Sequence, residues 1–456
     1  MTKRLFYAKI RNDLSKNLSE RTRFMKIKTK KMSYEEVLEL PPMRHQRPKK
    51  PSLLFRTLVR ALSEPDLRAT HFKAEKIGMD RLGKREPCLY LMNHSSFIDL
   101  KIASRLLYPK PYNIVCTSDG FVGKKWLMRN IGCIATQKFV PDLTLIRDMI
   151  YALKTLKSSV LMYPEAGYSF DGTATILPDT LGKCIKLLGV PVVMIRTYGA
   201  FARDPLYNNL QLRRVDVSAQ MEYLLSPDEI AEKSAEEINK ILHDCFDFDS
   251  FRWQQENHIR LTERFRADGI GRLLYKCPAC GREGQMRGHD TLLECECCKK
   301  TYELTEDGEM QAKNGATEFS HIPEWYAWER ECVKKEILDK SYSLDVDVEI
   351  GMLVSSKALY MIGEGHLHHD ALGFRLTGCD GKLDYSQGPL ASYSLNADYN
   401  WYEIGDIISI GNRTGLFYCF PKCKHDVVTK ARLATEELYK LYYKEARSAK
   451  KVCIAE

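Results

Sequence analysis

The chain has 456 residues, which allows roughly two to four domains of about 100–200 residues each. Hydrophobic residues make up 44% of the chain and charged residues 28%, which excludes a disordered chain, a collagen-like protein and a disulfide-stapled miniprotein. The net charge of +9 is concentrated at one end, since residues 1–50 hold 15 Lys/Arg and 5 Asp/Glu. The remaining residues hold 54 basic and 55 acidic side chains.

Residues 1–65 are predicted to form a basic arm and an amphipathic helix. The arm suits an anionic membrane surface or a nucleic acid, and a solvated tail is the simplest alternative. The helix, over residues 53–62, places Arg56 and Arg60 opposite its leucines, so it either lies in a membrane interface or packs on the next domain. Because the N-terminus shows no signal peptide and no run of about 18 uncharged apolar residues occurs, we expect a cytoplasmic protein that associates peripherally with a membrane.

Residues 66–270 alternate between apolar runs typical of buried strands and longer stretches typical of helices. The predicted strands are 88–92, 112–116, 133–136, 160–163, 190–197 and 214–225. The predicted helices lie near 97–107, 124–131, 143–157 and 179–188, and one more begins at Ser226. This alternation predicts an α/β domain in which helices flank a layered, mixed sheet.

The rest of the chain has a different pattern. Residues 271–320 combine cysteines with short strands, and residues 321–340 have the pattern of a linker helix. Residues 341–456 show short alternating runs and many turn residues, which predicts a β-rich domain closed by one helix near 426–444. Its architecture resembles a pleckstrin-homology-like or GRAM-type module. We interpret the segment His366-Leu367-His368-His369-Asp370 as an exposed turn and not as a metal site.

Four cysteines have the spacing of a zinc ribbon. Cys277 and Cys280 form one C-x2-C pair, and Cys295 and Cys298 form a second pair fourteen residues later. Four thiolates complete the tetrahedral coordination of Zn²⁺ and leave no open position, so the predicted cofactor is a structural Zn²⁺. Cys297 lies inside the second pair and is an alternative ligand.

A histidine and a carboxylate follow the first buried strand of the α/β segment. The motif is Asn93-His94-Ser95-Ser96-Phe97-Ile98-Asp99, and it opens a helix. Reactive groups in α/β sheets lie at such strand ends. His94 can act as a general base, and Asp99 can orient its ring and stabilise the imidazolium. This spacing also occurs by chance, so the pair gains its weight from the segments that follow.

Three further segments follow in order. They are Gly132-Cys133-Ile134-Ala135-Thr136-Gln137-Lys138, Tyr163-Pro164-Glu165-Ala166-Gly167-Tyr168-Ser169 and the apolar strand Val190-Pro191-Val192-Val193-Met194-Ile195. Together with the first motif they resemble the glycerolipid acyltransferase superfamily, of the lysophosphatidic acid acyltransferase type. The blocks of that family are Asn-His-x4-Asp, Gly-x-Ile-Phe-Ile-Asp-Arg, Phe-Pro-Glu-Gly-Thr-Arg-Ser and a strand containing Val-Pro.

The resemblance implies acyl transfer from a thioester donor, acyl-CoA or acyl-carrier protein, to a hydroxyl of a lysophospholipid or glycerol-phosphate-type acceptor. It makes His94 the base and Asp99 its orienter, and it assigns Glu165 to acceptor binding. Asn93 and Gly167 belong to the same motifs and are predicted to line the substrate site, where backbone N–H groups near Gly167 are candidate oxyanion donors. No Ser or Cys is placed as a nucleophile beside the base, so we expect direct transfer without an acyl-enzyme.

Two positions depart from the family pattern. The second and third blocks each carry an arginine that helps to hold the acceptor phosphate, and this chain has Lys138 and Tyr168 there. Lysine keeps the charge but loses the bidentate geometry, and tyrosine offers only a hydroxyl. The resemblance therefore supports acyl transfer more strongly than a phosphate-bearing acceptor. Lys124, Arg129 or Arg196 could replace the missing charge, although a structural or solvated role is the simpler interpretation.

Two other functions fit parts of the sequence. A non-catalytic lipid-binding scaffold would use the acyltransferase fold as a lipid groove; Lys138 and Tyr168 favour it slightly, and the intact His94 and Asp99 argue against it. A zinc-ribbon nucleic-acid binder would use the basic arm. Residues 271–306 hold six basic and six acidic side chains, so no nucleic-acid partner is expected.

Overall fold

The computed structural model describes residues 27–41, 43–140, 142–423 and 425–455, with the side chains of 447–455 excepted. The strands are β1 Thr29–Lys31, β2 Lys73–Ile77, β3 Leu89–Met92, β4 Tyr112–Thr117, β5 Cys133–Thr136, β6 Ser159–Met162, β7 Val192–Tyr198, β8 Ser218–Leu225, β9 Met286–His289, β10 Leu292–Cys295, β11 Thr301–Leu304, β12 Met310–Ala312, β13 Leu344–Leu353, β14 Leu359–Asp370, β15 Gly373–Gly378, β16 Leu383–Gln387, β17 Asn396–Trp401, β18 Gly405–Asn412 and β19 Gly415–Pro421. The helices are α1 Tyr34–Leu38, α2 Leu53–Ala69, α3 Ile98–Leu107, α4 Lys125–Asn130, α5 Leu143–Ile150, α6 Leu181–Leu188, α7 Ala200–Arg203, α8 Pro227–Glu232, α9 Ala235–Phe246, α10 Ser250–Glu256, α11 Ile270–Leu273, α12 Ile322–Leu338 and α13 Val428–Ala455. Residues 1–26 of the predicted basic arm lie outside the described residues.

The α/β domain is built on a seven-stranded sheet with the order β2-β8-β7-β3-β6-β4-β5. The five strands β3, β4, β5, β6 and β7 are parallel to one another. Strand β8, on the other side of β7, is antiparallel to β7. The continuous apolar run of β3 is buried on both faces, as helices on either side of a parallel sheet require. Helix α3 covers one face, and α5, α6 and α9 cover the other. The predicted layered, mixed sheet is confirmed.

The single helix predicted after Ser226 is two helices. Helix α8 ends at Glu232, and Ser234 then accepts the Glu237 N–H at 3.1 Å while the Glu237 carboxylate accepts the Ser234 N–H at 2.7 Å. This reciprocal capping satisfies the first N–H groups of a new helix, so the chain starts α9 there instead of extending α8.

The C-terminal region matches the predicted order of elements. The cysteine segment forms an antiparallel sheet with the order β12-β11-β10-β9, and α12 follows it. The β-rich domain has the strand path β16-β15-β14-β13-β19-β18-β17 and is closed by α13. Strand β1, which falls within the predicted basic arm, pairs in parallel with β14 and so extends the C-terminal sheet.

The segment His366–Asp370 is not an exposed turn, because it forms the end of β14. Leu367 and His369 are buried, whereas His366 and His368 face outward, which is the period of a strand. The Nδ1 atom of His368 lies 2.7 Å from Oδ1 of Asp345 on the neighbouring β13. Only the four zinc-ribbon cysteines, among the described residues, are grouped closely enough to hold a metal ion.

One face of the C-terminal sheet packs against the α/β domain. Val122, in the turn after β4, shares an apolar cluster with Trp401 and Tyr418. The Gly123 N–H donates to the Ser356 carbonyl at 3.0 Å. These contacts place β17 and β19 beside the turn after β4, at the carboxyl end of that parallel strand.

Helix α2 packs along α3 and keeps several leucines in solvent. Leu54 is 74% exposed, Leu62 is 69% exposed and Trp126 of the neighbouring α4 is 70% exposed. The Trp126 ring contacts Phe55 edge-on at 5.7 Å, so both helices contribute to one apolar surface. In the part of the chain that the structure describes, no helix is both long and apolar enough to cross a bilayer.

Candidate active site

His94 and Asp99 lie together at the carboxyl end of β3. Asp99 is buried in the first turn of α3, and its Oδ2 lies 3.0 Å from Nδ1 of His94. The same oxygen accepts the N–H groups of Ser95 and Ser96 at 2.8 and 3.0 Å. The fixed carboxylate favours the tautomer in which Nδ1 carries the proton and Nε2 the lone pair. The His94 side chain is 24% exposed, and its Nε2 has no hydrogen bond among the described residues.

The loop after β6 holds the backbone of His94 on both sides. Strands β3 and β6 are parallel neighbours, so their following loops meet at one edge of the sheet. Oε2 of the buried Glu165 accepts the His94 N–H at 2.8 Å, and the Ser169 N–H donates to the His94 carbonyl at 3.1 Å. Oε1 of Glu165 accepts the Thr175 N–H at 2.9 Å. Oε2 thus holds the His94 loop and Oε1 holds the segment at Thr175, and the acceptor contact assigned to Glu165 stays a prediction.

Burial raises the pKa of Glu165 to about 7, against the hydrogen bonds from Thr175 and His94 that lower it. The unfolded carboxyl has the ordinary pKa of 4.5, so the folded state binds this proton more tightly. The protonated carboxyl therefore stabilises the folded state fully below about pH 4.5, and this stabilisation is lost as the pH rises through about 7.

We expect the Glu165→Gln variant to show no such loss of stability with rising pH, because its side chain does not titrate. Denaturant unfolding between pH 4.5 and 7.5 should show the wild-type free energy of unfolding falling relative to the variant by up to about 3 kcal/mol, whereas a constant difference would contradict the raised pKa.

The imidazole of His94 is held between two tyrosine rings. The centroids of Tyr163 and Tyr168 each lie 4.3 Å from its ring centroid. Phe97 contacts Tyr168 edge-on at 5.6 Å. Burial raises the pKa of both tyrosines well above its usual value, so both hydroxyls remain neutral. Tyr168, at the position of a family arginine, is therefore an uncharged neighbour of the histidine.

Asn93 and Gly167 flank the histidine in different ways. Oδ1 of the buried Asn93 accepts the Thr197 N–H at 2.8 Å, which ties the end of β3 to β7. Ala166 has a φ of +56°, and its N–H donates to the Tyr163 carbonyl at 3.1 Å. A β-carbon on Gly167 would meet nothing within 4 Å, so the loop faces open space there. The Ala166 N–H is thus occupied, and Gly167 remains the candidate oxyanion donor.

The C-terminal domain supplies a wall beside Lys138 that the sequence did not predict. Lys138 is half-buried after the edge strand β5, and the next residue, Phe139, packs edge-on against Tyr393 at 5.2 Å. Asp398 of β17 is also half-buried; burial raises its pKa to about 6, and the charge of Lys138 opposes that rise.

Two of the alternative cations have structural roles. The Arg129 guanidinium donates to the carbonyls of Gln46 and Arg47 at 3.2 and 3.0 Å. Arg196 donates through Nε to the Cys245 carbonyl at 3.0 Å. These contacts support the structural interpretation of Arg129 and Arg196.

This arrangement can perform base catalysis. A hydroxyl placed at Nε2 of His94 can give up its proton, and the buried Asp99 carboxylate stabilises the imidazolium that forms. A β-carbon on Gly167 would meet no atom within 4 Å, so the loop after β6 is open at that residue. The site therefore suits proton removal from an alcohol during its attack on an acyl carbon.

The four cysteines form a second candidate site. The Sγ atoms of Cys277 and Cys298 lie 3.7 Å apart, those of Cys280 and Cys295 lie 3.8 Å apart, and all four lie within 4.8 Å of one another. Tetrahedral coordination with Zn–S bonds of about 2.3 Å requires Sγ–Sγ distances of about 3.8 Å. The donor set therefore fits a tetrahedral metal ion, and Cys297 is exposed and outside the group.

The segment with these motifs also matches a family of known proteins. Residues 73–196 match the family model described as Acyltransferase. No curated protein matches the chain. One similar solved structure is the crystal structure of the 1-acyl-sn-glycerophosphate (LPA) acyltransferase PlsC from Thermotoga maritima, which is 14% identical, with a TM-score of 0.34 over 45% of this chain and 80% of that chain. The family match covers His94, Asp99, Lys138, Glu165 and Tyr168 and confirms the predicted family, so this chain carries an acyltransferase-family domain.

Proposed function

We propose that this protein transfers a fatty acyl group from acyl-CoA or acyl-carrier protein to a hydroxyl of a lysophospholipid or glycerol-phosphate-type acceptor. The observation that carries the proposal is the 3.0 Å contact between His94 Nδ1 and the buried Asp99 carboxylate inside the acyltransferase-family segment. That contact occupies Nδ1 and leaves Nε2 available on a side chain that is 24% exposed.

In the proposed mechanism, Nε2 of His94 removes the acceptor hydroxyl proton while the oxygen attacks the thioester carbonyl. The tetrahedral oxyanion accepts a hydrogen bond from the Gly167 N–H. Collapse of the intermediate breaks the carbon–sulfur bond, and the imidazolium returns the proton to the departing thiolate. Because no hydroxyl or thiol is hydrogen-bonded to Nε2 among the described residues, transfer is direct and forms no acyl-enzyme.

The proposal requires that thioester cleavage depend on an acceptor. Purified protein with palmitoyl-CoA should release free coenzyme A thiol only after a lysolipid or glycerol phosphate is added. Release at the same rate without an acceptor would instead indicate a thioesterase.

The four-cysteine group is proposed to hold a structural Zn²⁺. Cys277, Cys280, Cys295 and Cys298 would supply all four ligands, so no position would remain for substrate. The ribbon packs directly on α12, since Trp325 Nε1 donates to the Lys276 carbonyl at 3.1 Å and the Tyr302 ring contacts Trp325 at 4.9 Å. Zinc would thereby stabilise the junction between the two larger domains.

We also propose that the protein binds peripherally to a membrane through the apolar surface of α2 and α4, and that the basic arm adds electrostatic attraction to anionic lipid.

We expect the double variant Leu54→Asp, Leu62→Asp to bind phosphatidylglycerol-containing vesicles at least about tenfold more weakly. Each change removes a leucine from the interface and adds a negative charge that the anionic lipid repels. Vesicle co-sedimentation measures the effect. Leu372→Asp is the matched control, since Leu372 is 78% exposed on the C-terminal sheet. Equal binding by all three proteins would place the contact elsewhere.

A further inference from the structure

Phe170, in the loop after β6, packs its side chain into the core of the C-terminal half of the chain. It is 2% exposed and belongs to the apolar cluster that the cysteine segment, α12, α13 and the C-terminal sheet share. Its ring lies 4.8 Å from that of Tyr399 on β17. The preceding residue, Ser169, donates its N–H to the His94 carbonyl at 3.1 Å. This loop therefore joins the candidate base to the C-terminal domain.

An arginine of α13 lies over the same ring. The guanidinium carbon of Arg432 is 4.3 Å from the centroid of the Phe170 ring, and the Arg432 side chain is buried. A guanidinium is attracted to the face of an aromatic ring, and the attraction is stronger where water is excluded. Arg432 therefore holds the Phe170 ring by more than apolar contact.

Arg432 is itself fixed by a buried carboxylate. Its Nε donates to Oε1 of Glu436, one helical turn further along α13, at 3.2 Å. Oε2 of Glu436 lies 2.7 Å from Nη2 of Arg330 on α12, and the Ser394 hydroxyl donates to Oε1 at 2.7 Å. Charge-assisted hydrogen bonds of this kind are strong and directional. The position of Arg432 is therefore set by two packed helices.

The turn that carries Phe170 is closed by its own hydrogen bonds. The Ser169 hydroxyl accepts the Gly172 N–H at 2.9 Å and donates to the Thr173 carbonyl at 2.7 Å. Both bonds span Phe170, so a displacement of its ring would also move Ser169. Because the Ser169 N–H holds the His94 carbonyl, that movement would reach the loop of the candidate base.

We propose that Arg432 is a positioning residue for His94 and acts through Phe170 and the turn at Ser169. This inference rests on the proposed function, since it assigns part of the catalytic alignment to the C-terminal domain. In the described structure, none of the hydrogen bonds or ring contacts of Arg432 involves His94 or Asp99. Its loss should therefore affect the chemical step and not the binding of either substrate.

The first test measures acylated-lipid formation by the full chain with palmitoyl-CoA and a lysolipid that the wild type acylates. We expect Arg432→Met to lower kcat about tenfold at unchanged KM, because a misaligned base loses part of its contribution. Glu436 keeps its Arg330 partner in this variant, so no buried carboxylate is left without a cation. Phe170→Leu should cause a similar loss. The double variant should lose no more than either single variant, since both changes break the same contact.

Arg213→Met is the matched control. Arg213 is a second buried arginine over an aromatic ring, with its guanidinium carbon 5.5 Å from the Tyr207 centroid. Its guanidinium donates to the Tyr207 hydroxyl, the Asn208 side chain and the Arg266 carbonyl, away from the loop after β6. Arg213→Met should lower the melting temperature at least as much as Arg432→Met and keep the wild-type kcat at temperatures where both variants are folded.

The second test is hydrogen–deuterium exchange, which needs no turnover. The N–H groups of His94 and Ser169 are both hydrogen-bonded in the folded chain. We expect Arg432→Met to raise exchange in the peptides that contain these two residues about tenfold or more, and Arg213→Met to leave both peptides unchanged.

Three results would overturn the inference. They are a wild-type kcat in folded Arg432→Met, an equal loss of kcat in Arg213→Met, and unchanged exchange at His94 in Arg432→Met. Each would make Arg432 a packing residue of the C-terminal domain, while His94-dependent product would still form and the proposed function would survive. Failure of the proposed function is distinct, since the wild type would then acylate no acceptor and exchange alone would decide the role of Arg432.

Discussion

Replacing His94 with alanine is expected to slow acyl transfer about 10²–10⁴-fold, the usual contribution of a positioned general base. The loss should appear in kcat, because the alcohol would keep its binding contacts and lose only its proton acceptor. Asp99→Asn should cost about a hundredfold or more, since its amide cannot stabilise the imidazolium as the carboxylate does. Initial rates of acylated-lipid formation measure both effects.

The matched control is a second histidine–carboxylate pair on the same domain. His71 Nδ1 lies 2.8 Å from Oδ1 of Asp216, and both side chains are exposed. His71→Ala should keep wild-type turnover, and all variants should keep the wild-type melting temperature. Turnover retained by a folded His94→Ala would show that another group removes the proton.

Replacing Cys280 with serine is expected to abolish zinc binding and destabilise the protein by several kcal/mol. Structural zinc sites supply on the order of 10 kcal/mol of folding free energy in small domains. The ribbon shares its apolar core with the C-terminal sheet and with α12 and α13, so its loss would reach beyond residues 271–320. Elemental analysis should give one zinc per wild-type chain and none in Cys280→Ser, with a lower melting temperature.

Cys297→Ser is the matched control, because Cys297 lies beside the ligands but outside the group of four. It should keep zinc and the wild-type melting temperature. Zinc-free wild-type protein that gains nothing in melting temperature when zinc is added would contradict the site. If Cys280→Ser retained zinc and Cys297→Ser lost it, Cys297 would be the ligand in place of Cys280.

The contact between His94 and Asp99 could be predicted from sequence because it is local. His94 lies just before α3 and Asp99 lies in its first turn, five residues later, so the start of the helix brings their side chains together. The four-cysteine group was predictable for the same reason, since the two C-x2-C pairs at the two ends of one hairpin converge. The match of residues 73–196 to the Acyltransferase family agrees with the four ordered blocks.

The wall of the site could not be predicted, because it depends on contacts between distant parts of the chain. Nothing in the residues of β17 marks this strand as a neighbour of the loop after β5, and the contact between Tyr393 and Phe139 forms only when the C-terminal sheet packs on the α/β domain. The same holds for β1, whose lysines have the composition of a tail but whose backbone joins β14. The segment at His366 was misjudged because its histidines and the neighbouring glycines resemble a turn, although the alternating burial of Leu367 and His369 is that of a strand.

The role of Glu165 depends equally on tertiary structure. The family motif places it near the acceptor, and its hydrogen bonds to the His94 and Thr175 N–H groups join two loops in the folded chain. The buried carboxylate thereby joins the backbone of His94 to that of Thr175.

The most direct measurement is mass spectrometry of the products formed when the purified full chain meets palmitoyl-CoA or palmitoyl-acyl-carrier protein and a mixture of lysophospholipids and glycerol phosphates. The account predicts one or more lipids heavier by a single palmitoyl group, formed by the wild type and by His71→Ala and lost in His94→Ala. If folded, zinc-containing protein gave no acylated product with any donor and acceptor, acyl transfer by His94 would be contradicted. The fold would then serve to bind lipid without transforming it.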